Sequence, residues 1–391
     1  MPVVNRFADL APAITEWRRD IHRHPEIQFE THRTSALVAE KLRAFGCDEV
    51  VTGLGRTGVV GVIRGRSNGS GKVIGLRADM DALPILEETG APYASETPGA
   101  MHACGHDGHT AMLLGAAQYL AETRNFDGTA VLIFQPAEEG GGGGLEMVQD
   151  GLMERFGIQE VYGLHNDPTR PLGEFATRPG AYLASSDNFR IEITGRGGHA
   201  AYPHTCIDPT VVASQVVLAL QTIVARNMDP AKAAVVSVTG LNTEGSAFNV
   251  IPERAKLRGT VRALDEETRD FIEGRMKAIV EGTAAAAGAQ ASLDYIRGYP
   301  VTVNHAAQTS FATDVAREIS GPDSTLGDVP PVLGAEDFSY MLQARPGAFL
   351  FMGIGEGPAL HHPKYDFNDE AIPTGCSYWA RLVERAMPTA G

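Results

Sequence analysis

Short apolar runs alternate with stretches of helical periodicity along most of the chain. Amphipathic spacing predicts helices over 13–24, 33–45 and 109–124, and Gly46 lies where a left-handed C-cap of the second helix is expected. Buried strands are predicted for the apolar runs 73–78, 130–134, 161–164 and 349–353. Buried strands that alternate with helices predict an α/β layer with a largely parallel sheet.

The middle of the chain has a different pattern, because its strands alternate apolar and polar residues. The elements predicted there are strands over 187–195, 233–241, 255–263 and 291–297, with helices over 208–226 and 265–284. Their βαββαβ order is that of a ferredoxin-like α+β unit. We therefore expect a discontinuous domain of 1–185 and 299–391, interrupted by an inserted domain of 186–298.

An antiparallel sheet of this kind has edge strands, and an edge strand can pair with its copy in a second subunit. The inserted domain therefore favours a symmetric homodimer. The alternative is a monomer in which the edge is covered by the rest of the chain.

Polar side chains with catalytic or metal-binding chemistry follow each of the four apolar runs. They are Asp79 and Asp81, Glu138 and Glu139, His165, and His361 with His362. Because ligands of open α/β sheets bind beyond the carboxyl ends of the strands, we expect these residues to line one pocket.

Residues 101–109 read Met-His-Ala-Cys-Gly-His-Asp-Gly-His and concentrate thiol, imidazole and carboxylate groups. Thiolate and imidazole suit zinc and neighbouring transition metals, whereas the spacing is not that of a zinc finger. The density of donors favours a metal site over a polar loop that is rich in His by chance. Asp107 is predicted to cap the helix that follows.

Composition narrows the class of protein. The chain has 391 residues, 43% of them hydrophobic and 21% charged, and a formal net charge of −15. Such a charge argues against nucleic acid or an anionic membrane as partner. No run approaches the length of a spanning helix, and the first residues do not have the pattern of a secretory signal. The widely spaced cysteines Cys47, Cys104, Cys206 and Cys376 form no disulfide framework, so we expect a cytoplasmic protein.

Five donors of suitable type are Cys104, His106, Glu139, His165 and His361. They exceed the three protein ligands of a single catalytic zinc and suit two ions that share a water. A carboxylate that is not a ligand must then move the proton of the water to the leaving amine, and Glu138 is the candidate. Gly140–Gly144, which follow directly, allow close backbone approach and positive φ.

Several motifs occur together in a recognisable order. The chain resembles the co-catalytic metallopeptidases related to aminoacylase and carboxypeptidase G. It is most similar to their amidohydrolase branch, which includes hippurate hydrolases, indole-acetyl-amino-acid hydrolases and N-acetyldiaminopimelate deacetylases. The resemblance runs from Arg18 to Glu370 and is carried by RADMDALP at 77–84, MHACGHDGH at 101–109, FQPAEEG at 134–140, GLHN at 163–166 and GAEDF at 334–338. It implies a phosphorylase/hydrolase-like catalytic domain with the inserted domain as a lid and dimerisation domain.

Position by position, the resemblance implies metal ligation by the same five donors and makes Glu138 the general base and acid. Asp81 becomes the carboxylate that orients a ligand. The family pattern favours His361 over the adjacent His362 as the last ligand, and both stay open at this point. Asp79 stands where the wider family has a His. Two divalent ions are implied; zinc is favoured, with manganese, cobalt and nickel as alternatives, and a bridging role of Cys104 is left open.

In the inserted domain, Gly195–His199 resembles the segment that carries a His into the active site of the partner subunit. His199 would there stabilise the oxyanion, and Asn249 resembles a substrate-contacting amide. Arg262 or Arg258 is a candidate for holding a substrate carboxylate, with surface ion pairing as the alternative role. We expect His22, His24, His102 and His109 to be structural or to support the ligands from behind.

These observations predict a cytoplasmic, metal-dependent amidohydrolase that acts on a small N-acyl amino acid with an acetyl, benzoyl or aryl-acetyl group. It is expected to be a homodimer or a tetramer of dimers, without a nucleic-acid or membrane partner. One alternative is a metallo-dipeptidase or carboxypeptidase with the same site. Another is a catalytically silent binder of metal or conjugate, which would have no need of the base Glu138.

Overall fold

A computed structural model describes residues 4–389. The helices, numbered in chain order, are α1 Arg6–Arg23, α2 His32–Phe45, α3 His106–Thr123, α4 Gly143–Gln149, α5 Leu152–Arg155, α6 Pro209–Thr222, α7 Glu266–Ala286, α8 Ala306–Ser320, α9 Phe338–Ala344 and α10 Ile372–Ala386. The strands are β1 Glu49–Leu54, β2 Gly58–Arg64, β3 Val73–Asp79, β4 Thr129–Gln135, β5 Glu160–Asp167, β6 Phe175–Ala176, β7 Gly180–Leu183, β8 Asp187–Thr194, β9 Gly198–His199, β10 Ala234–Thr243, β11 Val250–Ile251, β12 Arg254–Ala263, β13 Gln290–Arg297, β14 Thr302–Asn304, β15 Thr325–Leu326 and β16 Gly347–Gly353.

The chain divides into two compact units. The first comprises Met1–Gly180, Val303–Pro330 and Asp337–Gly391, and the second comprises Ala181–Thr302 and Pro331–Glu336. The second unit is therefore longer than the predicted insert of 186–298. Backbone hydrogen bonds explain the extra residues, since Val332 donates to Tyr182 at 2.9 Å and Ala184 donates to Gly334 at 2.8 Å.

The first unit contains a mixed sheet that, within the described residues, has eight strands in the order β1-β2-β4-β3-β5-β16-β6-β15. Its centre is parallel, because β3 pairs in parallel with β4 and β5, and β16 pairs in parallel with β5. These central strands are the four apolar runs that the sequence predicts. Their carboxyl ends meet at one edge of the sheet, which is where an α/β sheet places its ligand site.

Helix α3 is buried along most of its length and contacts α1, α10 and β3. Gly115 allows this packing, because a Cβ there would lie 2.5 Å from Ile14 Cδ1 and 2.7 Å from Cys376 Sγ. The helix begins at His106 rather than at 109, after Gly105 in a left-handed conformation with φ of 90°. The predicted capping role of Asp107 is therefore wrong: Asp107 lies inside the first turn.

The second unit contains an antiparallel sheet that has, among the described residues, four strands in the order β10-β12-β8-β13. Helices α6 and α7 contact each other and pack on one face of this sheet. Asp208 and Asp265 cap these helices by accepting the N–H groups of Thr210 and Thr268. The strand order and the βαββαβ sequence confirm the predicted ferredoxin-like arrangement. The other face of the sheet carries polar, exposed side chains.

Candidate metal centre

Strand ends, loops and the start of α3 at the carboxyl edge of the first unit's sheet bring all the predicted donors together. In each of three overlapping groups, the potential ligand atoms lie within 4.8 Å of one another: Cys104 with His106 and His165, Cys104 with Glu139 and His361, and His106 with Glu138 and Glu139. Cys104 belongs to two of the groups. The arrangement is that of two neighbouring donor clusters rather than one tetrahedral site.

His106 is oriented as a metal ligand requires. Its Nδ1 lies 2.8 Å from the backbone carbonyl oxygen of Asp81 and donates to it, which fixes the tautomer. Its Nε2 is buried and has no hydrogen-bond partner within residues 4–389. Because a buried polar atom normally finds a partner, the orphaned nitrogen indicates a missing ligand, and a divalent cation fits among these donors.

The Glu138–Glu139 pair is held by its backbone. The carboxylate of Asp81 accepts the N–H of Glu138 at 2.8 Å and that of Glu139 at 3.1 Å, one on each oxygen. Ala137 has a φ of 55°, which turns the chain sharply out of β4. Gly143 closes the turn, because a Cβ there would lie 1.8 Å from the carbonyl oxygen of Pro136.

His361, not His362, lies in the donor group. It has a φ of 66° and donates its N–H to Ala103 at 2.8 Å, so the loop after β16 is tied to the segment that contains Cys104. Its Nε2 lies 3.2 Å from Glu139 Oε1. His362 Nδ1 instead accepts the N–H of Lys364 at 3.0 Å.

The centre is rich in carboxylates, and most of its donors are buried. Burial opposes protonation of His106, but the carboxylates of Asp79 and Asp81 outweigh it and raise its pKa to about 10. Burial, together with Glu139, raises the pKa of the Cys104 thiol well above its usual range. Burial and the neighbouring His109 lower the pKa of His165, which stays a neutral imidazole. A cation among these groups would favour the thiolate.

A buried network lies behind the ligands, and of its members the sequence predicts a structural or ligand-supporting role for His109. Asp79 lies 2.6 Å from His109 Nδ1 and accepts from Arg77 at 2.7 Å. His109 Nε2 in turn lies 2.6 Å from Asn166 Oδ1, and the carbonyl of Asn166 accepts from His165 Nδ1 at 2.7 Å. Asp79 and His109 therefore support ligands from behind. Asp79 lies among the predicted pocket residues, and its position inside RADMDALP is the signal in the sequence that could have indicated this supporting role.

The second unit brings two of the predicted substrate contacts together. His199 in β9 pairs with Val250 in β11, and Ala200 donates to the backbone oxygen of Asn249 at 2.9 Å. His199 and Asn249 thus lie on one two-stranded ribbon. Arg262 turns toward its own strand, where it donates to Thr260 Oγ1 and to the carbonyl of Val261.

Comparison with known proteins identifies the family. The model of peptidase family M20/M25/M40 matches residues 75–385. The chain belongs to this family. It is 43% identical to hippurate hydrolase of Campylobacter jejuni over 98% of this chain and 99% of that protein. It is 42% identical to thermostable carboxypeptidase 2 of Saccharolobus solfataricus over 90% of each chain.

Among solved structures, the YXEP protein of Bacillus subtilis, a dinuclear metal binding peptidase of the M20 family, superposes with a TM-score of 0.84. The two chains are 34% identical, with 98% of this chain and 100% of that one covered. These likenesses confirm the predicted family, the α/β fold class with its second α+β unit, and the class of metal-dependent amidohydrolase. They also support a centre of two divalent ions.

Proposed function

We propose that this enzyme hydrolyses the amide bond of N-acyl amino acids with an acetyl, benzoyl or aryl-acetyl group, releasing a carboxylic acid and a free amino acid. The observation that carries the proposal is the placement of Glu138, a nearly buried carboxylate, beside a cluster of five metal donors in the M20 family. The 43% identity to a hippurate hydrolase over nearly the whole chain supports the acyl amino acid as substrate.

We assign the two ions to Cys104, His106, Glu139, His165 and His361, with zinc favoured by the thiolate and imidazole donors and manganese, cobalt or nickel as alternatives. Such ions, when bound, would polarise the scissile carbonyl and acidify a bound water. Cys104 belongs to two of the three donor groups, so its thiolate would be available to either ion.

Glu138 takes a proton from the attacking water as the oxygen–carbon bond forms. As the carbon–nitrogen bond breaks, Glu138 returns that proton to the leaving amine. Asp81 holds Glu138 and Glu139 in place, because its carboxylate accepts hydrogen bonds from their backbone N–H groups. His199 is assigned to the oxyanion and Asn249 to the substrate. We assign substrate-carboxylate binding to Arg262, with Arg258 as the alternative.

We further infer a cytoplasmic homodimer, or a tetramer of dimers, formed through the second unit. Helix α6 exposes Val211 and Leu218 to 54% and 71%, and it packs beside the edge strand β10. The expectation that no run approaches the length of a spanning helix is wrong for one segment: by length and composition, the helical segment Pro209–Asn227 is apolar enough to cross a membrane, and 33% of that stretch is buried. An interface between subunits would cover its exposed apolar face. The four cysteines are free thiols, as is usual in a reducing compartment.

Replacing Glu138 with Gln tests the mechanism. We expect kcat on hippurate to fall by roughly 10²–10⁴-fold, the typical contribution of general acid–base catalysis, while two equivalents of metal stay bound. Glu139→Gln, the adjacent change, should lose activity and metal together. Elemental analysis of the metal content, measured together with steady-state kinetics, distinguishes loss of the base from loss of a metal ligand. Glu138→Gln enzyme with wild-type kcat would overturn the assignment.

The carboxypeptidase relative makes peptide hydrolysis the second candidate function, since it matches 90% of this chain. A screen of benzoyl-, acetyl- and indole-acetyl-amino acids beside unblocked dipeptides decides between them. Hydrolysis of the acylated substrates is expected. Activity confined to unblocked peptides would favour the second candidate.

A further inference from the structure

The turn between β4 and α4, which contains Glu138, is held at both ends by the carboxylate of Asp337. The turn follows Gln135, the last residue of β4, and runs to Gly144 in the first turn of α4. Asp337 is buried and directly precedes α9. Its Oδ1 and Oδ2 accept from Gln135 Nε2 at 2.8 and 2.9 Å, and its Oδ2 also accepts the N–H of Gly144 at 2.8 Å. One side chain thus joins the two ends of the turn, whereas Asp81 holds its middle.

Asp337 belongs to a closed ring of three buried side chains. Arg77 of β3 donates from Nη2 to Asp337 Oδ1 at 3.0 Å and from Nε to Gln135 Oε1 at 2.9 Å. Since Gln135 also donates to Asp337, each of the three side chains contacts the other two. Arg77 and Asp337 are 1% and 0% exposed, and the electrostatic attraction between such groups is stronger in the interior than in water. The ring therefore fixes the end of β4 relative to Asp337.

The second contact of Asp337 depends on a glycine. A Cβ at Gly144 would lie 2.9 Å from the backbone oxygen of Asp337 and 3.2 Å from its Oδ2. Glycine lets the two segments approach to hydrogen-bond distance. Because close-packed interiors transmit strain, a displacement of Asp337 would also displace α4 and the turn that precedes it.

We propose that Asp337 is a positioning residue for the general base Glu138. The carboxylates of Glu138 and Asp337 have oxygens within 4.8 Å of each other, so the base lies next to the group that closes its turn. Asp337 acts through the ends of the turn and not on the substrate. The role of Glu138 as base rests on the proposed function, whereas the contacts of Asp337 do not depend on it.

The change Asp337→Asn tests the proposal. Whichever way the new amide is turned, its NH₂ group faces donors, either the N–H of Gly144 or the guanidinium of Arg77. We expect kcat on hippurate to fall by about 10²-fold, the effect of misplacing a catalytic group by about 1 Å, with KM within twofold of wild type and two equivalents of metal bound. Gly144→Ala disturbs the same contact from the other side and keeps the charge of Asp337, so it should lower kcat as well.

Each variant has a matched control in the second unit, which contains none of the five metal donors. Asp187 is equally buried and also accepts from an arginine and a backbone N–H, at 2.9 Å from Arg269 and 3.0 Å from Gly298. Asp187→Asn should lower the free energy of unfolding in urea but keep kcat within twofold of wild type. Gly274→Ala is the control for the glycine variant, since Gly274 lies in α7 and a Cβ there meets no atom within 4 Å.

Crystal structures of the variants give a measurement that needs no turnover. In Asp337→Asn and Gly144→Ala, the Glu138 carboxylate should be displaced by about 1 Å relative to β3 and β4, and in Asp187→Asn it should not move. An Asp337→Asn protein that loses stability but keeps the wild-type kcat and the wild-type position of Glu138 would overturn the proposal. If this variant does not fold, the same measurements on Gly144→Ala decide. A wild-type protein without activity on hippurate would contradict the proposed function, and the displacement of Glu138 would still test the role of Asp337.

Discussion

Asp81 has two separate roles at the level of single atoms. Its backbone oxygen accepts from His106 Nδ1, and its carboxylate accepts the N–H groups of Glu138 and Glu139. The sequence resemblance predicts a carboxylate that orients a ligand. In the structure, the carbonyl accepts from His106 Nδ1 and one carboxylate oxygen lies 3.6 Å from the same nitrogen, while both carboxylate oxygens position the base with its neighbour. One residue therefore links β3, α3 and the turn after β4.

The change Asp81→Asn tests this positioning. Asn keeps the carbonyl contact to His106 but replaces one carboxylate oxygen with an NH₂ group, which faces a backbone N–H. A buried donor left unpaired costs about 1–3 kcal/mol, so we expect lower stability in urea. We expect kcat to fall by more than tenfold as Glu138 shifts, because small displacements of catalytic groups have large effects. Urea unfolding and hippurate kinetics on metal-loaded enzyme are the measurements.

Asp127 supplies the matched control. Its two carboxylate oxygens likewise accept backbone N–H groups, from Gly69 at 2.7 Å and Ser70 at 2.9 Å, but at an exposed position away from the donors. Asp127→Asn should keep kcat within twofold of wild type. Equal kcat in the Asp81 and Asp127 variants would show that the carboxylate of Asp81 has no positioning role.

At the scale of elements, the apolar runs predict the central strands well because buried parallel strands are short, apolar and bounded by polar residues. The strand ends then place Asp79, Glu138 and His165 correctly at one edge. The start of α3 is not predictable in the same way. It depends on Gly105 in a left-handed conformation and on contacts distant in sequence, since Asp107 bonds His22 at 2.8 Å.

The choice between His361 and His362 also lies beyond the sequence. It depends on the φ of 66° at His361, which turns that ring toward Glu139. The network of Arg77, Asp79 and His109 is not predictable from the sequence either. Only the folded chain shows that strand β3 and helix α3 place these groups within hydrogen-bond distance. The local sequence pattern indicates which residues have suitable chemistry. Contacts between segments that are distant in sequence determine which of these residues interact.

The contact between α1 and α3 predicts a pH-dependent stability. Burial disfavours the charged form of His22, but hydrogen bonds to Asp107 and Glu87 outweigh it and raise its pKa from 6.5 to about 9. The folded state therefore holds this proton more tightly than the unfolded chain does. The stabilisation is complete below pH 6.5 and is lost as pH rises through 9. Its size is on the order of 3 kcal/mol, from the shift in pKa.

Urea unfolding of metal-saturated protein between pH 6 and 10 measures this dependence. The wild-type free energy of unfolding should fall across the interval from pH 6.5 to 9. His22→Gln keeps a donor toward Asp107 without a titrating ring, so its profile should be flatter over the same interval. Identical slopes for the two proteins would show that another group is responsible.

At the scale of the whole molecule, the first unit contains every predicted metal donor, and the second contains His199 and Asn249. The proposed interface lies on the second unit, where the outward side of α6 exposes two large apolar side chains among polar ones. Leu218 is 71% exposed there, and Val211 on the same helix is 54% exposed. Exposed apolar side chains on a helix beside an edge strand form a surface that a second copy of the chain can cover. In a two-fold dimer, the same patch of both subunits would meet.

Leu218→Glu is therefore expected to separate the subunits. A carboxylate buried at a two-fold interface meets its own copy, and unpaired buried charge is strongly unfavourable. Sedimentation should give the wild-type protein twice the 41.6 kDa of one chain, or a higher multiple of that dimer, and the variant 41.6 kDa at the same concentration. The variant should still bind metal, because no donor lies on α6.

The control must share the exposure and chemistry of Leu218 but lie outside the second unit. Leu86 meets this requirement, since it is 65% exposed and belongs to the first unit. Leu86→Glu should keep the wild-type mass, because a charge at an exposed, uncovered position stays solvated. A Leu218→Glu protein that retains the wild-type mass would contradict an interface on α6, and a wild-type protein of 41.6 kDa would contradict the dimer itself. Loss of kcat only in the separated subunits would then support the assignment of His199 to the partner's active site, since a purely structural interface leaves the chemistry of each first unit intact.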